Sequence, residues 1–201
     1  MIRRMPAEGK IYMKNRVVIL PLCLAAAALF CGCSVNISFG TDNLVGEEYP
    51  NAASYKTGAF AYNAADISAV EVYWRSGEVN ITESPGAELN VRESGGEAAG
   101  DTAMHYLIDG GVLRIRFCAS GAHIRVSPED KRLHLEVPKG IRISVHATSA
   151  DIRSGDLNPE DLLVSVHSGS VNLGAVTASE VELGSSSGSL RAESVSAKSL
   201  K

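Results

Sequence analysis

Residues 142–198 read RISVHATSADIRSGDLNPE (142–160), DLLVSVHSGSVNLGAVTAS (161–179) and EVELGSSSGSLRAESVSAK (180–198), three lines of nineteen that fall into columns when stacked. Ile143, Leu162, Val181 and Leu200 form one apolar column, Val145, Val164 and Leu183 a second, and Leu157, Val176 and Val195 a third. Between them Ser149-Ala150-Asp151-Ile152 corresponds to Ser168-Gly169-Ser170-Val171 and to Ser187-Gly188-Ser189-Leu190. Apolar and small residues recurring at a period near 20 mark a solenoid, in which each coil buries its inner face against its neighbours. The serine columns read as bends, where small residues fit and a hydroxyl can satisfy a nearby backbone group. A related unit, Ser76-Gly77-Glu78-Val79-Asn80-Ile81, stands earlier without the regular spacing. The last coil of a solenoid exposes an edge that needs cover. The sequence stops at Ser199-Leu200-Lys201 as a fourth coil begins, so the repeat part is expected to be truncated or its edge covered by another surface.

Upstream of the repeats the apolar residues keep a period of two: Val70, Val72 and Trp74; Val79 and Ile81; Leu89 and Val91; Leu133, Leu135 and Val137. Each run ends at turn formers, Ser76-Gly77, Ser84-Pro85-Gly86, Ser94-Gly95-Gly96 and Pro138-Lys139-Gly140. Alternation broken by Gly, Pro and Ser is the strand signal, and no window carries the i, i+3, i+4, i+7 pattern of a helix. Gly110-Gly111, between His105–Asp109 and Val112–Phe117, predicts a tight hairpin. Residues 94–102 and 118–130 read as exposed loops. The fold class is therefore all-β, a β-solenoid of coils of about 19 residues preceded by antiparallel hairpin strands.

The N-terminal segment has a different purpose. Lys14 and Arg16 precede fifteen uncharged, mostly apolar residues, Val17–Cys31, and Gly32-Cys33 follow. A positive n-region, a short apolar h-region and a small residue at the cut form the layout of a secretory signal. The run is short for a spanning helix, which needs about 20 apolar residues. Leu29-Phe30-Cys31-Gly32-Cys33 resembles the lipobox of bacterial lipoproteins, which implies that residues 1–32 are removed and Cys33 is diacylated; Met13 is an alternative start. Two acyl chains hold a protein firmly at a membrane where one binds only marginally. Residues 33–65, with isolated aromatics and no sustained periodicity, read as the anchor cysteine and a flexible tether, with packing of Tyr55 to Tyr62 on the first strands as the alternative for its end. The β domain follows, with an N-terminal β-strand part at 66–140 and the repeat part at 141–201.

AVEVYWRSGEVNI (69–81), HYLIDGGVLRIRF (105–117), LHLEVPKGIRISV (133–145) and the repeated Ser-Gly units together resemble the bacterial family of adhesin-type β-strand repeat proteins known as DUF4097. The resemblance covers about residues 56–201. It implies a β-solenoid-like fold and surface exposure, and it carries no defined binding residues to transfer.

Charge and chemistry narrow the function further. The first 32 residues hold five of the 19 Lys/Arg and one of the 23 acids, so the remainder carries 14 basic and 22 acidic residues, a net charge of −8. An acidic exported domain without a Lys/Arg cluster lacks the footprint for nucleic acid. Cys23, Cys31 and Cys33 belong to the N-terminal segment, which leaves Cys118 as an unpaired thiol. Glycan hydrolysis wants two carboxylates at a fixed separation, yet Asp151 is followed nineteen residues later by Ser170 and Asp156 by Ala175. Glu129-Asp130 and Glu160-Asp161 read as solvated turns. His146 and His167 fall on outward positions 21 apart, a diagonal without a third ligand, so no metal or cofactor site is expected. The expected protein is non-catalytic, exported and lipid-anchored at Cys33 on the extracytoplasmic side of the membrane, touching an envelope polymer or a protein partner. An envelope stress or signalling accessory binding a membrane protein is the alternative, and a glycan-active β-helix enzyme is the least favoured reading.

Overall fold

The computed structural model describes residues 44–95, 99–124 and 131–201. Thirteen strands occur among them: β1 (Leu44–Val45), β2 (Lys56–Thr57), β3 (Phe60–Asn63), β4 (Ala69–Ser84), β5 (Glu88–Ser94), β6 (His105–Asp109), β7 (Val112–Arg116), β8 (His123–Ile124), β9 (Arg132–Pro138), β10 (Arg142–Ser154), β11 (Asp161–Ser168), β12 (Val171–Ser187) and β13 (Leu190–Leu200). No α-helix is present among the described residues; three short 3-10 turns complete the secondary structure.

The nineteen-residue period is the register of the sheet. In parallel pairing Ile143 lies opposite Leu162 and Leu162 opposite Val181, Val145 opposite Val164 and Val164 opposite Leu183, Ile152 opposite Val171 and Val171 opposite Leu190. Leu157, Val176 and Val195 line up in the same way. Because side chains alternate across a strand, a fixed register stacks inward residues on inward residues. Val145, Ile152, Val164, Val171 and Val181 are accordingly fully buried. Burying each such side chain contributes about 1.5–3 kcal/mol, which offsets the ordering entropy of the coil.

The irregular Ser76-Gly77 unit belongs to the same stack. β4 pairs in parallel with β10 so that Ser76 faces Ser149, Gly77 faces Ala150, Glu78 faces Asp151 and Val79 faces Ile152. The other edge of β4 is taken by β7 along its first half and by β9 along its second. The chain therefore lays down a middle coil first, then the coil below it, then the coil above. Ser76-Gly77 does not end a strand as the alternation suggested. Gly77, at φ 83°, turns a corner within one sixteen-residue strand whose two halves both stay paired.

Corners are where a coil must be satisfied most carefully. Gly169 and Gly188 sit at φ 141° and 143°, and a Cβ on either would be driven into the backbone of the preceding coil, at Ala150 and Gly169 respectively. Three aspartates brace the next coil: Asp151 accepts the Ser170 N–H at 2.9 Å, Asp156 the Ala175 N–H at 2.8 Å and Asp161 the Glu180 N–H at 3.1 Å. Each carboxylate thus supplies the hydrogen bond that a backbone carbonyl would supply along a straight strand.

The other end of the stack is capped by antiparallel strands. β6 returns onto β7 through Gly110 (φ 57°) and Gly111 (φ 76°), the expected hairpin, and β5 runs antiparallel to β9. β2 then adds to β6 and β3 to β5, while β1 pairs with β8. Two expectations change here. Residues 44–63 are not all tether, because they supply β1, β2 and β3, with Phe60 stacked on Tyr106 at 3.8 Å. Nor are residues 118–124 an exposed loop: Cys118, Ala122 and Ile124 are buried. The apolar run was too short to show a period, and long-range pairing with the N-terminal strands decided the outcome.

Gly169→Ala is expected to destabilise the protein by more than about 2 kcal/mol, since a side chain there combines an unfavourable φ with a backbone clash. Gly184→Ala, at an outward position with open space around its Cβ, is expected to be neutral or slightly stabilising. Chemical denaturation of the two variants measures the contrast.

Candidate functional site

With the core filled by apolar columns, polar chemistry is left to the outward faces and to one buried cluster. The outward face of the first halves of the strands carries a row in register, Arg116 on β7, Tyr73 on β4, His146 on β10 and Ser165 on β11. The Arg116 guanidinium lies 3.7 Å from the centre of the Tyr73 ring and 4.9 Å from that of Tyr49, with Glu47 at 3.7 Å. His146 stacks on the opposite side of the row, 5.1 Å from Tyr73. One position along, Arg114 pairs with Glu71 at 3.1 Å. Burial pushes the Tyr73 phenol up, with Glu71 adding to the effect. Burial also pushes the His146 imidazole down; Glu71 opposes this and Arg116 reinforces it. At neutral pH this row is a neutral imidazole, a phenol and a guanidinium held by stacking, and His146 Nε2 lies in hydrogen-bond contact with Ser144 Oγ at 3.1 Å.

The outward face of the second halves carries another row: Arg92 (β5), His134 (β9), Asn80 (β4), Arg153 (β10), Asn172 (β12) and Arg191 (β13). Its neighbours hold Arg132, Glu78 and Asp151 on one side and Asn90, Glu136, Thr82 and Glu193 on the other.

The buried cluster joins the cap to the stack. Lys131 is 5% exposed; its Nζ donates to the backbone carbonyls of Thr102 and Phe117 and lies 2.6 Å from Glu93 Oε1. Glu93 Oε2 accepts the Met104 N–H at 2.8 Å. The Phe117 ring stands 4.2 Å from Nζ, and Trp74, edge-on to Phe117, stands 5.3 Å away. Burial alone pushes the ammonium down toward about 7, and the carboxylate and two carbonyls around it act in the opposite sense, holding the proton on. Alternation carried the signal for this pair: Glu93 is in phase with the inward Leu89 and Val91, and Lys131 with Leu133, Leu135 and Val137. Arg116 gave no such signal, because its phase is outward and its cover includes Glu47 and Tyr49 from the segment after β1.

The residues singled out from sequence divide clearly. Cys33, the lipidation residue, lies outside the described residues, as do Glu129 and Asp130. Cys118 is a buried free thiol pushed up to about 11, chiefly by burial, and its carbonyl accepts the Tyr49 hydroxyl at 2.9 Å. Glu160 pairs with Arg142 at 3.5 Å, while Asp161 is a corner brace. His167 is exposed and is not brought together with His146. Among the described residues no group of three His, Cys, Asp or Glu converges as a metal site would require, and no helix is long and apolar enough to cross a membrane. A shallow depression lined by Ala61, Tyr62, Asn63, Ala87 and Glu88 holds a single carboxylate.

The family model Toastrack DUF4097 matches residues 67–201. No curated protein sequence matches the chain. Among solved structures it is similar to a candidate cell-adhesion protein from Clostridium sporogenes, at 10% identity and a TM-score of 0.41 over 73% of this chain and 100% of that one. It is also similar to candidate adhesins from Parabacteroides distasonis (15%, 0.38, 71% and 67%) and Parabacteroides merdae (15%, 0.30, 72% and 76%).

Lys131→Met is expected to cost about 3–5 kcal/mol, since it leaves Glu93 as a buried charge without its partner. Adding Glu93→Gln, which keeps an acceptor for the Met104 N–H, is expected to recover more than about 1 kcal/mol of that loss in urea unfolding.

Proposed function

The chain belongs to the Toastrack DUF4097 family, and on that footing we propose that it is a non-catalytic binding module, exported and held on the extracytoplasmic side of a bacterial membrane by acylated Cys33. The observation that carries the reading is the pair of outward rows, each crossing the parallel strands in register. A stack of coils repeats a side-chain position at every strand, about 4.8 Å apart, and so displays a long, rigid surface suited to an extended partner at the envelope. The aspartates spaced along residues 151–161 support a non-catalytic role, because Asp151, Asp156 and Asp161 are each spent on a backbone N–H of the next coil. The anchor follows from the charged n-region, the apolar run and Gly32-Cys33.

Mass spectrometry of the protein purified from membranes tests the anchor. The expected product begins at Cys33 and carries a diacylglycerol that disappears in Cys33→Ala, with the variant released from the membrane fraction or left with its signal uncut. An unmodified Cys33 in the wild-type protein would overturn the anchor.

A further inference from the structure

The row Arg92, His134, Asn80, Arg153, Asn172, Arg191 contains hydrogen-bond donors at every position and no carboxylate, on a domain that is acidic as a whole. Together with its two neighbouring rows this surface sets four arginines against four carboxylates, Glu78, Asp151, Glu136 and Glu193. Three of those carboxylates are engaged: Glu78 accepts from Arg153 at 2.8 Å and from Asn80 at 2.5 Å, Asp151 lies 3.8 Å from Arg153 and braces Ser170, and Glu136 accepts from Asn90 at 3.0 Å. Arg92, Arg132 and Arg191 are exposed and make no ion pair among the described residues. His134, held by Ser94 Oγ at 2.8 Å, is pushed down by burial and then by Arg92, with Arg132 adding and Glu78 opposing.

We infer that this row is the docking surface for a linear acidic polysaccharide lying across the strands, parallel to the axis of the stack. The inference rests on the binding-module reading and names its ligand class. Neighbouring strands lie about 4.8 Å apart, so Arg153 and Arg191, two strands apart, stand about 10 Å from each other, and Arg92 stands about 14 Å beyond Arg153. Guanidinium groups bind carboxylate, sulfate or phosphate oxygens in pairs. Asn80 and Asn172, set between the arginines, offer neutral donors and acceptors to the hydroxyls between the charged groups. A polymer alternating anionic and hydroxylated units meets both. A compact anion would engage one guanidinium and gain nothing from the row.

The test uses the full chain in detergent with fluorescein-labelled polygalacturonate and heparin, read by anisotropy between about 50 and 200 mM salt. Binding is expected to weaken as salt rises. The double variant Arg92→Gln, Arg191→Gln, which leaves the Arg153–Glu78 pair intact, is expected to lose about tenfold or more in affinity and to show a shallower salt slope. Lys56→Gln, on exposed β2 and outside both rows, is expected to bind as the wild type does, and circular dichroism reports whether each variant is folded. Failure of the wild type to bind either polymer at low salt overturns the inference. So does undiminished binding by the folded double variant, or equal binding of neutral dextran or single-stranded DNA. These results are independent of Cys33: an acylated protein that ignores both polymers defeats this inference and leaves the anchor standing, and an unmodified Cys33 does the reverse.

Discussion

Coil closure governs this molecule. After nineteen residues the chain must return each inward side chain to a place directly over its predecessor, with its backbone N–H and C=O groups bonded to the coils on either side. Along the straight segments the parallel ladder meets both demands together. At the corners it does not, and there the sequence becomes specific. Glycine stands where any Cβ would strike the coil beneath, as at Gly169 and Gly188, and aspartate stands where a backbone donor needs an acceptor, as at Asp151, Asp156 and Asp161. Residues that look like a catalytic or turn pattern are thus explained by the geometry of closure.

A stack of this kind has two ends, and the end formed by β7 and β9 is finished differently from the coils. β5 and β6 run antiparallel to the first coil, so they stop parallel growth, and β2 and β3 extend them outward. The joint between this cap and the coils is the Lys131–Glu93 pair beneath Trp74 and Phe117. An apolar joint would be at least as stable. A charged pair with backbone partners on Thr102, Met104 and Phe117 fixes a single arrangement of the loops that cross there. β4, paired on both edges by strands far away in sequence, requires that cap and coils form around it.

Much of this architecture was legible in the chain because the repeat period and the strand register are one quantity. The columns Ile143–Leu162–Val181 and Val145–Val164–Leu183 read from sequence are Cα partners in the sheet, and Gly110-Gly111 marked its hairpin. The position of β4 was not legible: its partners lie at irregular separations, since the chain detours through the cap before resuming the stack. Residues 44–63 gave no periodic signal because their strands are two to four residues long and owe their form to pairing across the cap. The outward rows were hidden for a related reason. Arg92, His134, Asn80, Arg153, Asn172 and Arg191 become neighbours only through antiparallel and parallel pairings of different offsets, and no local motif joins them.

The functional reading depends on that register, since an outward row exists only if each coil sits squarely on the last. Inter-strand nuclear Overhauser effects between amide and α protons of β10, β11 and β12 test it most directly. The account predicts contacts linking Val145 with Val164 and Val164 with Leu183, nineteen residues apart at each step. Contacts at another spacing, or antiparallel contacts between these strands, would contradict the solenoid and dissolve both rows with it.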